Sequence, residues 1–166
     1  INILREMGAD ITLSNEREVG GEPVADIRVR SAELHGIDIP EDQVPLAIDE
    51  FPALFVAAAC AQGQTVLTGA HELRVKESDR IASMADGLQA LGVDAQPTED
   101  GIVIEGGELR SARIHSHGDH RIAMSFAMAA LRAQGDIVID DCANVNTSFP
   151  GFVDLAITTG LSITQD

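Results

Sequence analysis

The run Leu73-Arg74-Val75-Lys76-Glu77-Ser78-Asp79-Arg80 concentrates cations and acids more densely than any scaffold needs. Its apolar positions shift from alternate to helical spacing, which predicts a strand leading into a helix. On a strand, alternate side chains share a face, so Arg74 and Lys76 are expected to point the same way. Arg80 would join them as the helix begins. A cation cluster at a helix N-terminus suits carboxylate and phosphate groups. Glu77 beside it could carry a proton.

Three other places hold polar residues in similar positions: Asp49-Glu50, Gly118-Asp119-His120-Arg121, and the segment from Asn144 to Ser148. All are expected at helix N-termini or in the loops before them, so converging termini would form an electropositive pocket. Simpler readings stand beside this one. Asp49 could be an N-cap, and Lys76 with Glu77 a surface ion pair. Arg121 at a helix start is unfavourable to the helix dipole and asks for an anionic partner.

His115-Ser116-His117-Gly118-Asp119-His120 spells the H-x-H-x-D-H pattern of binuclear zinc hydrolases. Such sites need further ligands downstream. No His follows His120, and His35 and His71 lie upstream, in the wrong order. No metal site is therefore expected, and Asp119, His120 and Arg121 are read as parts of an anion site.

The elements that must position these residues recur. Asp49 to Ala61, Gly63 and Thr65-Val66-Leu67 read as an Ala-rich helix, a stop and a strand, and Arg121 to Ala133, Gly135 and Ile137-Val138-Ile139 read the same way. Gly8 and Gly92 each close a helix ahead of a strand pair, and Asp100-Gly101 signals a hairpin. The helix from Asp79 to Leu91 carries Ile81, Met84, Ala85, Leu88 and Leu91 on one stripe. Ile122 to Leu131 is apolar nearly all round and is expected to be buried between layers. Ser148-Phe149-Pro150 predicts a helix start, with Ser148 near the cap and Pro150 in the first turn. The fold class is α/β (α+β), about two copies of a repeated unit, roughly 8–91 and 92–166, with mixed sheets around buried helices.

The 166 residues can bury roughly two-thirds of their unfolded surface. Lys plus Arg number 11 against 27 Asp plus Glu, a formal charge of −16. Diffuse attraction to nucleic acid or an anionic membrane is therefore excluded, and an anionic ligand must be held by a local basic pocket. Cys60 and Cys142 lack metal spacing and read as reduced thiols of a cytoplasmic protein. The apolar run from Phe51 to Ala61 is too short to span a bilayer. Ile1 to Gly8 reads as the end of an amphipathic helix, so a piece of a longer polypeptide is expected.

Asp49-Glu50-Phe51-Pro52, then Leu73 to Ile81, then Gly118-Asp119-His120-Arg121-Ile122-Ala123-Met124, and Ser148-Phe149-Pro150 together resemble the C-terminal part of the 5-enolpyruvylshikimate-3-phosphate synthase family. The resemblance covers essentially the whole chain. It implies transfer of the enolpyruvyl group of phosphoenolpyruvate to the 5-hydroxyl of shikimate 3-phosphate. It also implies a fold of two lobes built from β-α-β-α-β-β units around a cleft. This chain would supply most of the C-terminal lobe, its partner the absent N-terminal lobe, and the fragment alone would be inert.

By the same resemblance, Asp49 contacts the shikimate hydroxyls and accepts a proton, Glu77 is the acid-base at the enolpyruvyl carbon, and Lys76 binds shikimate 3-phosphate. Arg80 and Arg121 hold phosphoenolpyruvate, with His120 beside them. No cofactor or metal is implied. Thr147 stands where some members carry a Lys. Two alternatives stand beside this reading: a UDP-N-acetylglucosamine enolpyruvyl transferase-like protein, which has the same architecture but is not expected to carry Lys76 to Arg80 together with Gly118 to Arg121, and a non-catalytic anion-binding lobe.

Overall fold

A computed structural model describes residues 1–165. The chain opens with α1 (Asn2–Glu6), closed by Gly8 in the left-handed region at φ +97° as its position predicts. The antiparallel strands β1 (Asp10–Val19) and β2 (Glu22–Arg30) follow, paired from Asp10 opposite Arg30 to Val19 opposite Glu22 with a register shift between Ser14 and Arg17. A 3₁₀ turn, the short α2 (Val44–Ala47) and a second 3₁₀ turn (Ile48–Glu50) lead into α3 (Phe51–Ala59). Next come β3 (Gln64–Leu67), a 3₁₀ turn (His71–Val75), α4 (Arg80–Ala90), β4 (Asp94–Pro97) and β5 (Ile102–Glu105). The chain continues through β6 (Arg110–His115), α5 (His120–Ala129), β7 (Gln134–Asp140), α6 (Ala143–Ser148) and α7 (Phe152–Thr158).

The sheets are mixed in direction. β3, β5 and β4 form an antiparallel sheet with β5 central, whereas β6 and β7 run parallel. Parallel strands need a crossover, and α5 supplies it. The segment before α3 repeats this arrangement in reduced form, with His35 and Asp38 making parallel bridges to Gln62 and Val66 across α3. The order helix, strand, helix of α3, β3 and α4 has a counterpart in α5 and β7 followed by the short helices α6 and α7.

The core lies where α3, α4 and α5 meet. Phe51 and Phe55 of α3, Met84 and Leu88 of α4 and Phe126 of α5 are sealed from solvent. The stripe predicted on α4 is buried at every position. Gly87 lets α4 and α5 approach closely, because a Cβ there would sit 2.3 Å from the Phe126 ring.

Three expectations are corrected. No strand leads directly into α4: residues 71–75 form a 3₁₀ turn, with Ala70 and Leu73 buried and Val75 exposed. The i, i+3 spacing of those two apolar residues is that of a 3₁₀ turn. Helix α5 is not buried all round, since Met128, and Leu131 just beyond it, are exposed. Ser148 ends α6 rather than starting a helix; α7 begins after Gly151, whose φ of +82° turns the chain, and Pro150 precedes its cap.

Candidate active site

Three helix N-termini meet at one edge of this core. Asp79 caps α4 by accepting from the Ala82 amide at 3.0 Å, and Asp119 caps α5 by accepting from the Arg121 amide at 2.9 Å. Each capping acid is followed by the cation its helix presents: Asp79-Arg80-Ile81-Ala82 and Asp119-His120-Arg121-Ile122-Ala123. Asp49 lies in the 3₁₀ turn before α3 and is not its cap, which is Glu50 without a side-chain bond. Its carboxylate is left to face the cations.

Arg80 organises the site. Its side chain is 1% exposed, and all three nitrogens donate: Nε to Asp119 Oδ2 at 2.8 Å, Nη1 to Asp49 Oδ1 at 3.0 Å, and Nη2 to Glu77 Oε2 at 2.6 Å. Asp119, with no exposed side-chain surface, also accepts from Ser78 Oγ at 3.0 Å. A guanidinium is suited to such burial because its planar fork satisfies several carboxylates at once.

Lys76 Nζ lies 3.4 Å from Asp49 Oδ1 and donates to Glu72. Arg121 Nη1 donates to the Asp49 carbonyl at 2.8 Å and to Glu50 Oε1 at 3.1 Å.

The charges set the ionisation of this wall. Burial alone would push the Asp119 carboxyl up, but hydrogen bonds and charge from Arg80, with the Arg121 amide and Ser78, hold it below the usual carboxylate range. Asp49 is likewise lowered: partial burial opposes ionisation, and Lys76, Arg80 and Arg121 outweigh it. The hydrogen bond to Glu72 raises Lys76, with Asp49 adding to it against partial desolvation. Burial alone would lower Arg80, but Asp119 and Glu77 hold it above its ordinary value. Asp49 and Glu77 remain 46% and 52% exposed, so the wall faces outward.

The structure thus brings Asp49, Lys76, Glu77, Arg80 and Arg121 into one connected network, with half-buried His120 as the first residue of α5. Arg74 does not join them. It turns away to Asp79 and to the carbonyls of Thr98 and Glu99, because the 3₁₀ turn places it off the line that a strand would have shared with Lys76. Thr147 sits exposed within α6. An open groove runs from Asp49 and Arg121 between α3 and α5, past Ala53, Met124 and Met128.

Sequence reasoning placed Asp119 in the anion site but missed its bond to Arg80. The signal available was a capping acid just ahead of a helix-start cation, twice over. The H-x-H-x-D-H segment does not converge on a metal. Asp119 is occupied by Arg80, Ser78 and the Arg121 amide, and the His117 amide donates to His115 Nδ1 at 3.0 Å. Among the described residues, no three His, Cys, Asp or Glu side chains group as a metal site.

Acids and forked cations at converging helix N-termini make a wall suited to carboxylate and phosphate ligands. The chain belongs to the EPSP synthase (3-phosphoshikimate 1-carboxyvinyltransferase) family, whose profile matches residues 1–155. It is 71% identical over 163 residues to the 3-phosphoshikimate 1-carboxyvinyltransferases of Nitrosococcus oceani and Methylococcus capsulatus, a match covering 98% of this chain and 37% of each relative. Its fold superposes on the EPSP synthase of Acinetobacter baumannii with a TM-score of 0.95 at 61% identity, covering 98% of this chain and 39% of that one. The chain therefore spans well under half the length of the relatives it matches.

Proposed function

We propose that this chain is the larger part of the C-terminal lobe of a 3-phosphoshikimate 1-carboxyvinyltransferase, built from two units at roughly residues 8–91 and 92–166. The complete polypeptide, with an N-terminal lobe across the cleft, transfers the enolpyruvyl group of phosphoenolpyruvate to the 5-hydroxyl of shikimate 3-phosphate and releases phosphate. A cytoplasmic setting fits the free thiols of Cys60 and Cys142. Among the described residues, no helix is long and apolar enough to cross a membrane.

The observation that carries this reading is the single network joining Asp49, Lys76, Glu77, Arg80 and Arg121. Addition takes the proton from the attacking hydroxyl and adds one to the methylene carbon as the new C–O bond forms; elimination removes a proton from the resulting methyl group as the C–O bond to phosphate breaks, the other proton leaving with phosphate, so two positioned carboxylates suffice. Asp49 is poised to take the hydroxyl proton, and Glu77 to exchange one with the enolpyruvyl carbon. No cofactor enters these steps. Lys76 binds shikimate 3-phosphate, while Arg80, Arg121 and His120 hold phosphoenolpyruvate.

In the unliganded network Arg80 is saturated by carboxylates. A substrate anion therefore reaches it by displacing Glu77 or Asp49, and that exchange frees the displaced acid for proton transfer as the substrate arrives. Holding both substrates in one cleft contributes roughly 7–11 kcal/mol of barrier lowering.

Phosphate release by the complete polypeptide, dependent on both substrates, tests the reading. Glu77→Gln is expected to lower kcat by about 10²- to 10⁴-fold. A folded complete polypeptide that releases no phosphate from the pair would refute it.

A further inference from the structure

Arg74 carries charge into the motif yet stands outside the anion wall. Its guanidinium uses all three nitrogens: Nε donates to the Glu99 carbonyl at 2.7 Å, Nη2 to the Thr98 carbonyl, and Nη1 to Asp79 Oδ2 at 2.7 Å. The first two acceptors lie in the turn joining β4 to β5. That turn is anchored by Thr98 N to Gly101 O at 2.9 Å, and is tied to the loop ahead of the 3₁₀ turn by Ala70 N to Asp100 O at 2.7 Å. The third acceptor is the cap of α4.

Between Arg74 and Asp79 runs the segment that carries Lys76 and Glu77. Residues 76–78 belong to no helix or strand, and among the described residues their amides and carbonyls make no backbone hydrogen bond. Buried Leu73 holds one end and the first turn of α4 the other. Such a segment samples many conformations unless its flanks are fixed.

We propose that Arg74 is a positioning residue: it closes the Lys76–Ser78 segment by pinning its two ends to the β4–β5 turn, and so fixes where Lys76 and Glu77 meet the substrates. A lysine preserves the charge but presents one nitrogen where three are needed. The inference rests on the proposed transferase reading for its kinetic consequence and on geometry alone for its structural one.

The test uses the complete polypeptide and its Arg74→Lys and Asp79→Asn variants. Arg74→Lys is expected to lower kcat about 10- to 100-fold, the scale of a misplaced reacting group, with an unfolding midpoint close to that of the unaltered protein. Amide hydrogen exchange should accelerate locally at Thr98, Ala82 and Ser83, whose bonded amides lie at the two ends that Arg74 ties. Asp79→Asn keeps the cap and loses the charge, and should lie between the two.

Unchanged kcat in Arg74→Lys, or a loss that only follows a lowered unfolding midpoint, would overturn the positioning role. An inactive unaltered polypeptide would refute the transferase reading instead. In that case the exchange decides: local acceleration supports the pinned segment, and unchanged exchange overturns it.

Discussion

Arg80 Nε lies 2.8 Å from Asp119 Oδ2, with both side chains sealed from solvent and 39 residues apart in the chain. This pair joins the N-termini of α4 and α5, and through Arg80 it fixes Asp49 and Glu77 as well. Removing one partner of a buried pair strands the other charge, so Asp119→Ala is expected to lower stability by about 3–5 kcal/mol. Asn retains the cap of α5 and one acceptor, so Asp119→Asn should cost less. Urea unfolding of both variants checks the order.

The same carboxylate gives stability a defined acid limb. Asp119 has a depressed folded pKa, so between its folded and unfolded values the unfolded chain binds more protons. Stability is fully present above the unfolded value near 3.9 and is lost as pH falls towards the folded one. Unfolding midpoints measured from pH 6 downward should therefore drop steeply below about pH 4. The drop should be shallower in Asp119→Asn.

Gly87→Ala reverses the usual helix rule. Ala is ordinarily favoured over Gly inside a helix by about 1 kcal/mol. Here the new Cβ would fall 2.3 Å from the buried Phe126 ring. Overpacking should make the substitution destabilising by roughly 1–3 kcal/mol, read as a lowered unfolding midpoint.

Arg121→Lys keeps a cation but loses the fork that a carboxylate or phosphate matches. In the complete polypeptide, kcat/KM for phosphoenolpyruvate should fall about 10- to 100-fold, with most of the change in KM, since a half-buried anchor of this kind acts mainly in binding.

The 166-residue chain alone is expected to release no phosphate from the two substrates. Asp49 and Glu77 are about half exposed, so water would occupy the side of the cleft opposite this wall. Turnover at a rate comparable to the complete polypeptide would contradict the two-lobe reading.

Much of this was legible in the sequence because it is local and periodic. The α4 stripe follows from helical spacing, and the β4–β5 hairpin from Asp100-Gly101. The grouping of Asp49, Lys76, Glu77, Arg80 and Arg121 followed from a resemblance carried by four motifs, which geometry supports by joining them.

What failed depends on distant partners. The alternation of Leu73 and Val75 suggested a strand, but Arg74 is aimed by the carbonyls of Thr98 and Glu99, which no local pattern announces. Ser148 and Pro150 look like helix-start residues. Their place is decided by α6, which forms upstream with Asn144 bonded to the Gly118 carbonyl. The bond from Arg80 to Glu77 is local, but its bond to Asp119 is set by α4–α5 packing.

The most direct measurement is a crystal structure of the complete polypeptide carrying Glu77→Gln, with shikimate 3-phosphate and phosphoenolpyruvate bound. Both ligands should lie against one wall, with Asp49 and Lys76 on the first and Arg80 and Arg121 on the second. Well-ordered ligands bound away from these four side chains would contradict a shared site.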